Sequence, residues 1–339
     1  MRRRVLAVLA LLCGLTLIIP GTASAEVATH NRAAAAAGWL ARQMTDGERF
    51  EADFGGQRYP DQGLTIDAVL AFAAAGAADD YADRAIAWLA QPAIATGYLG
   101  SGGEAYAGAH AKLLLAAEIA GLDPTSFGGV DLRAGLLALL TPSGRFSDVS
   151  AFGDYSNAFS QSLALLALDR TAAGAPTAAV DFLVGTQCPD GGFPLALAAT
   201  TCVSDVDSTA MVSQALQAVG RAVPAQQGLD WLVSVQQANG GFGVGSNAPN
   251  ANSTGLAAQA LKAGGRLVAA HSAKQFLKGL QVGCAGPAEQ RGAVAHQATG
   301  FDPATATRAT AQAVLGLAGV GLADLHSGGQ AEAPVLACA

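Results

Sequence analysis

The chain has 339 residues, 51% of them apolar and only 13% charged, with 26 acidic side chains against 19 basic ones. That length permits one large domain or two. The acidic balance, without a Lys/Arg cluster beyond the first residues, argues against nucleic acid or an anionic lipid surface as partner.

The first element is not part of the fold. Arg2, Arg3 and Arg4 precede an apolar run from Val5 to Ile19, followed by Thr22-Ala23-Ser24-Ala25. A basic start, an apolar stretch and an Ala-x-Ala site predict a secretory signal peptide over residues 1–25. The apolar run falls short of the roughly 20 residues a membrane span needs, so no span is expected in the mature form. Its removal leaves 16 basic against 26 acidic side chains. The mature protein is expected to be secreted or associated with the cell surface. Cys188, Cys202, Cys284 and Cys338 remain, and an even number in an exported chain favours disulfides over metal ligation. Four cysteines allow three pairings; Cys188 with Cys202 and Cys284 with Cys338 is the expected one.

From there the chain is periodic. Each unit reads as an amphipathic helix, a Gly-rich turn, a polar loop, a second Ala/Leu-rich helix and a closing Gly. The first helices of the units begin near Ala35, Asp83, Leu132, Ala178, Gly228 and Ala273, with Trp39, Trp88 and Trp231 at matching positions. The spacing of about 45 to 50 residues signals a repeat architecture. A threonine lies eleven residues before the closing Gly in four units: Thr65 and Gly76, Thr209 and Gly220, Thr254 and Gly265, Thr310 and Gly321. His110 takes that slot in the second unit, and the third, around Tyr155 to Gly174, departs from the pattern. Six units of two helices predict an all-α fold: an α/α toroid over residues 26–326, twelve helices in two concentric rings. Residues 327–339 form a C-terminal tail.

The motifs Gln187-x3-Gly191-x-Phe193 and Gln236-x3-Gly240-x-Phe242 resemble the repeat of squalene–hopene cyclases, protein prenyltransferase β subunits and the cobalamin carriers intrinsic factor and transcobalamin. The resemblance covers about residues 33–322 and implies that the helix after the Gly-Gly-Phe turn is an inner one. Its N-terminus then opens at the mouth of a central cavity.

The run Asp205-Val206-Asp207-Ser208-Thr209-Ala210 starts such a helix. Asp, Ser and Thr are preferred N-caps, and a carboxylate suits the positive end of the helix dipole. Asn252-Ser253-Thr254 holds the matching position one unit later. The same run resembles the Asp-x-Asp-Asp-Thr-Ala motif of squalene–hopene cyclases, which implies Asp207 as a catalytic general acid; Ser208 replaces the companion carboxylate. Aromatic residues make up 6% of the chain, few for cavity chemistry through carbocations. Prenyltransfer would need a zinc site, and Asp205-x-Asp207 with a lone His110 or His296 completes no metal ligand set. Gly283 to Gln290 resembles a thioester motif, but Cys284 and Gln290 are six apart rather than three.

The run Asn252 to Leu261 resembles the Ser-Thr-Gly-Leu-Ala-x-Gln-Ala-Leu stretch of the cobalamin carriers. Asp207 and Gln214, like Asn252 and Gln259, are seven apart, which puts each pair on one helix face. The preferred expectation is therefore a secreted toroid that binds a small ligand at the inner-helix mouth. Asp205, Asp207, Gln214, Asn252, Thr254 and Gln259 would bind it, with Asp207 read as a cap facing the ligand. The resemblance implies a corrinoid such as cobalamin, or another polar or amphipathic molecule; no cofactor is required, and a cell-surface transporter or other protein is an expected partner. The alternatives are a cyclase-like enzyme acting on isoprenoid lipid, with Asp207 as general acid, and a protein-interaction module using the loops at 145–157 and 284–304.

Overall fold

An Asp or Asn before an Ala/Leu-rich run is where most helices of this chain begin. Asn31, Asp61, Asp131, Asn157, Asp205, Asn250 and Asp302 each accept from a first-turn backbone N–H. In the computed structural model, which describes residues 27–197, 200–245 and 247–338, these runs fold as thirteen α-helices. The signal peptide expected at residues 1–25 lies outside the described residues.

In chain order the helices are α1 (Arg32–Arg42), α2 (Gln62–Ala75), α3 (Asp79–Leu89), α4 (Pro92–Leu99), α5 (Ala107–Ile119), α6 (Leu132–Ala138) and α7 (Ala158–Asp169). Then follow α8 (Thr177–Val184), α9 (Val206–Ala218), α10 (Ala222–Val235), α11 (Ala251–Ala263), α12 (Leu267–Leu280) and α13 (Pro303–Ala318). Strands are short: β1 (Ala28–Thr29) pairs in parallel with β4 (Val335–Leu336), and β2 (Glu51–Phe54) forms a hairpin with β3 (Gln57–Pro60).

Helices α2, α5, α7, α9, α11 and α13 pack each on the next, and α13 packs on α2, so they close a ring. Helices α1, α3, α6, α8, α10 and α12 wrap it. The expected α/α toroid is what forms. The count differs by one because the outer layer of the second unit is broken: α3 stops at Ala90, and Pro92 starts α4. Proline lacks the N–H that would continue α3 but is preorganised for a helix start. The inner helices are buried almost all round, as a layer between neighbours and an outer ring must be.

Two polar contacts repeat around the ring. The slot threonine of an inner helix accepts from the backbone N–H of the preceding turn: Thr65 from Phe50, Thr209 from Phe193, Thr254 from Phe242 and Thr310 from Val294, at 2.8–2.9 Å. The Gln of the Gln-x3-Gly motif donates to a carbonyl of the next outer helix, Gln187 to Pro224 and Gln236 to Ala269, and Gln281, which lacks the motif glycine, does the same to Arg32. The motif glycine sits against the same neighbour; a Cβ on Gly240, which has φ +86°, would land on the Ser272 carbonyl. Backbone approach and left-handed geometry both require Gly there.

The third unit solves the same problem with one residue. Gln161 occupies the threonine slot, accepts from the Phe146 N–H at 2.9 Å and donates to the Gly144 and Ala179 carbonyls at 2.9 and 3.0 Å. It does the work of both Thr and Gln, so the departure is a substitution rather than a loss of the repeat. In the last unit the left-handed cap is Gly319, not the expected Gly321.

The tail runs across the C-terminal ends of the inner helices. Gln259 donates to the Val320 carbonyl, Gln214 accepts from the Leu322 N–H, and Arg170 donates to the Ala323 and Leu325 carbonyls. Ser327 then bonds Ile119, Gln330 bonds Gly76, and Cys338 pairs with Cys284. The toroid is thereby floored at one end and open at the other. Cys188 pairs with Cys202, so both disulfides are those expected.

Candidate functional site

At the open end each inner helix presents its first turn. On α9 the cap is Asp205, whose Oδ1 accepts from the Ser208 N–H at 2.8 Å. Asp207 is therefore not the cap, contrary to expectation, but the second residue inside the helix. On α11 the cap is likewise Asn250, which accepts from the Ser253 N–H at 2.9 Å, and Asn252 stands where Asp207 does. With the capping done elsewhere, both side chains are left over. Asp207 Oδ1 and Asn252 Oδ1 are buried and have no hydrogen-bond partner in the protein.

The slot two residues before the buried threonine position marks the mouth all the way round. It holds Gly63, Gly108, Phe159, Asp207, Asn252 and Arg308. One turn deeper, the same helical face holds Asp67, Lys112, Leu163, Met211, Leu256 and Gln312. Most of the slot residues, with Asp67, Lys112 and Gln312, break the run of fully buried positions on their helices. The third turn closes the well with Leu70, Leu115, Leu166 and Leu315, all buried.

The mouth has two unlike halves. On the α13–α2–α5 side, Lys112 Nζ sits 2.6 Å from Asp67 Oδ1 and donates to the Gly63 carbonyl at 2.9 Å, while Arg308 pairs with Asp61 at 2.9 Å. Every charge there has a partner. Burial pushes the nearby Tyr98 hydroxyl up, and the Asp67 and Asp61 carboxylates push it further. On the α9–α11 side Asp205 and Asp207 stand without a cation among the described residues, and Asp207 is the more deeply placed. Burial pushes Asp207 up to about 6; hydrogen bonding with Ser253 opposes the rise, and the Asp205 carboxylate adds to it. Desolvation favours the neutral acid, so Asp207 holds a proton well above the usual carboxylate range.

The other expected site residues fall elsewhere. Thr254 is fully buried and its hydroxyl serves Phe242 on both its N–H and carbonyl. Gln214 and Gln259 bond each other at 3.3 Å and hold the tail at the floor, two turns below the mouth. The structure thus brings Asp205, Asp207 and Asn252 together at the mouth and places Thr254, Gln214 and Gln259 in the scaffold.

Part of the rim is apolar and carries aromatic groups. Phe54 and Tyr59 are exposed on the hairpin that leads into α2, Phe152 and Tyr155 on the loop into α7, and Phe159 is half-buried in the mouth slot. Beside Asp205 a cleft of about 340 Å³ is lined by Pro194, Leu195, Val203 and Val244. The charged residues Asp67, Lys112 and Arg308 were missed by motif reading; their only sequence signal is a charge two residues from the slot position on an Ala/Leu-rich inner helix. His110 faces the chain, its Nδ1 2.9 Å from the Tyr106 carbonyl, with its pKa lowered by burial. Among the described residues no group of His, Cys, Asp and Glu could hold a metal ion, and no helix is long and apolar enough to cross a membrane.

No family model matches the chain, and no curated protein does. Solved structures do. The type II terpene cyclase MstE from Scytonema superposes with a TM-score of 0.63 at 15% identity, over 85% of this chain and 97% of that one. A variant of that cyclase in complex with geranylgeranyl dihydroxybenzoate gives 0.65 at 17% identity, over 85% and 96%. The ent-copalyl diphosphate synthase from Streptomyces platensis gives 0.51 at 18% identity, over 78% of this chain and 53% of that one. The fold is the terpene-cyclase toroid. A glycosidase matches as well, with a TM-score of 0.59 at 13% identity over 86% and 97%, so the fold by itself does not choose a chemistry. The comparisons lend the corrinoid expectation no support. The toroid alone accounts for nearly the whole MstE chain.

Proposed function

We propose that this protein is a terpene-cyclase-like enzyme that acts on an isoprenoid lipid, with Asp207 as its general acid. The observation that carries the reading is the desolvated carboxyl of Asp207 at the mouth, its Oδ1 without a hydrogen-bond partner and its pKa pushed up to about 6. The likeness to type II terpene cyclases supports it. An alkene is a poor base, so its protonation needs a carboxyl that is still protonated near neutral pH and shielded from water. The Asp207 O–H adds its proton to the terminal double bond of the substrate. The tertiary carbocation is taken by the next double bond, closing a ring, and the final cation loses a proton to water. The rim aromatics stabilise cationic charge through their faces. Two disulfides and the leader-like N-terminus support action outside the cytoplasm.

The test is turnover of linear polyprenyl substrates by the mature protein across pH. With a pKa near 6, roughly a tenth of Asp207 remains protonated at pH 7, so kcat/KM falls about tenfold per unit above pH 6. Absence of any cyclised product from polyprenes of several lengths, at pH 5 as at pH 7, counts against the proposal.

A second reading keeps the mouth as a binding site without chemistry. It is favoured by the paired charges of Asp61, Asp67, Lys112 and Arg308 and by the closed third turn, which leave a shallow, polar half. Its ligand is a small polar or amphipathic molecule, a corrinoid among the candidates. A shift in heat stability or in the cobalamin spectrum on mixing supports this reading, and its absence removes the corrinoid.

A further inference from the structure

The chain contains four lysines, and three of them, Lys262, Lys274 and Lys278, lie on α11 and α12. Lys262, Lys274 and His271 line a cavity of about 340 Å³ between α11, α12 and α13, whose other walls include Leu267, Gly316 and Gly319. The stem of Lys262 lies over Gly319; a Cβ added there would meet Lys262 Cγ at 2.9 Å. Among the described residues no carboxylate lines this cavity, and none is bridged to any of the three lysines. The one basic residue close by with an acid of its own is Arg266, held by Asp230.

In a protein with a net charge of −7, gathering cations without acids has an electrostatic cost that something must offset. Burial disfavours the charged form of Lys274, and Lys278 and Lys262 disfavour it further. Lys262 in the last turn of α11 complements that helix's carbonyl end. This argument does not reach Lys274, which lies at the middle of α12, seven residues after Leu267 and six before Leu280, beyond the terminal turns where the helix dipole acts. Fold stability therefore does not account for Lys274, whereas a bound anion would.

We infer that this cavity, at the floor of the toroid, binds a small phosphate-type anion carrying more than one negative charge. Lysine ammoniums act as point charges suited to phosphate oxygens. Leu267 and Gly316 leave part of the wall free for an apolar body, and the volume lies in the lower range of small-molecule sites. Ten residues of α11 separate Lys262 from Asn252, about 15 Å, so the site is distinct from the mouth.

The experiment compares inorganic phosphate and pyrophosphate with sodium chloride of equal ionic strength on the full mature protein. Pyrophosphate is expected to raise the Tm saturably by about 4 °C. It is also expected to protect Lys274 from an amine-specific acylating reagent. In the Lys262→Ala/Lys274→Ala variant the rise disappears, while the Tm in chloride stays within a few degrees of the wild type, because the lost complement to the α11 carbonyl end is set against the removal of like charges. The inference is overturned by the absence of a saturable rise, by its persistence in the double variant, or by an equal response to citrate. A double variant that melts far below the wild type in chloride overturns it too, since the lysines would then be structural.

Discussion

Gln281 on the loop after α12 donates from Nε2 to the Arg32 carbonyl at 2.9 Å, 249 residues earlier in the chain, and to the Gly292 carbonyl at 3.0 Å. One amide thus joins the last outer helix to the first, as Gln187 and Gln236 join their own neighbours. Replacing it by Leu removes one donor from each of two carbonyls, at about 1–3 kcal/mol in all. Urea denaturation of Gln281→Leu is expected to show a lowered midpoint with an unchanged slope, since the ring opens only when it unfolds.

Gln161 serves three backbone groups, so it is the most exposed single point of the third unit. Gln161→Leu is expected to cost about 3 kcal/mol or more, because all three groups lie in the interior. Gln161→Thr can still accept from the Phe146 N–H, as threonine does in four other units, and is expected to lose about half as much. The denaturation midpoints of the two variants, compared directly, check the order.

Asp207 makes a signed prediction about pH. Its folded pKa of about 6 lies above the ordinary 3.8, so the folded state binds the proton more tightly than the unfolded one. The burial cost is absent below pH 3.8, grows as pH rises, and is complete above about pH 6. Asp207→Asn removes that cost and is expected to be more stable than the wild type by roughly 1–3 kcal/mol at pH 7.5. The difference should vanish near pH 3.5. A parallel pH–stability curve for the two proteins would show that the carboxyl is not desolvated.

The Cys284–Cys338 bond closes a loop of 54 residues and fastens the strap that floors the ring. Chain entropy alone assigns such a loop about 4 kcal/mol. Cys338→Ser is expected to loosen the strap before the ring melts. Amide exchange should rise first at Ala78, Asp79 and Gln330, which bond along it, while the α11 amides stay protected.

Much of this was legible in the sequence, because the toroid writes each unit's needs into fixed positions. Thr65, Thr209, Thr254 and Thr310 recur because the same N–H needs an acceptor in each unit, and Gln187 and Gln236 recur because the same carbonyls need a donor. The order of the helices followed from local spacing, although α10 and α12 start six residues before the expected Gly228 and Ala273; Cys188 and Cys202 were paired from the loop they flank, which left Cys284 with Cys338. What could not be read was anything joining residues that are near only after the ring closes. Lys112 and Asp67 are 45 positions apart on neighbouring helices, and nothing local announces their ion pair. The seven-residue spacing of Asp207 and Gln214 correctly put them on one face, but α9 is long enough for the two to serve opposite ends of the toroid. Asp205 and Asp207 were equally good caps by composition; backbone geometry alone chose Asp205.

The claim that Asp207 delivers a proton to carbon is tested most directly by mass spectrometry of products formed in D2O. The wild-type protein is incubated at pH 5.5 with linear polyprenes, beside Asp207→Asn. The account predicts a cyclised product carrying one deuterium from the wild type and none of that product from Asp207→Asn, whose fold is checked by the pH–stability comparison. Equal deuterium incorporation by the two proteins, or no cyclised product from the wild type with any polyprene, would contradict it.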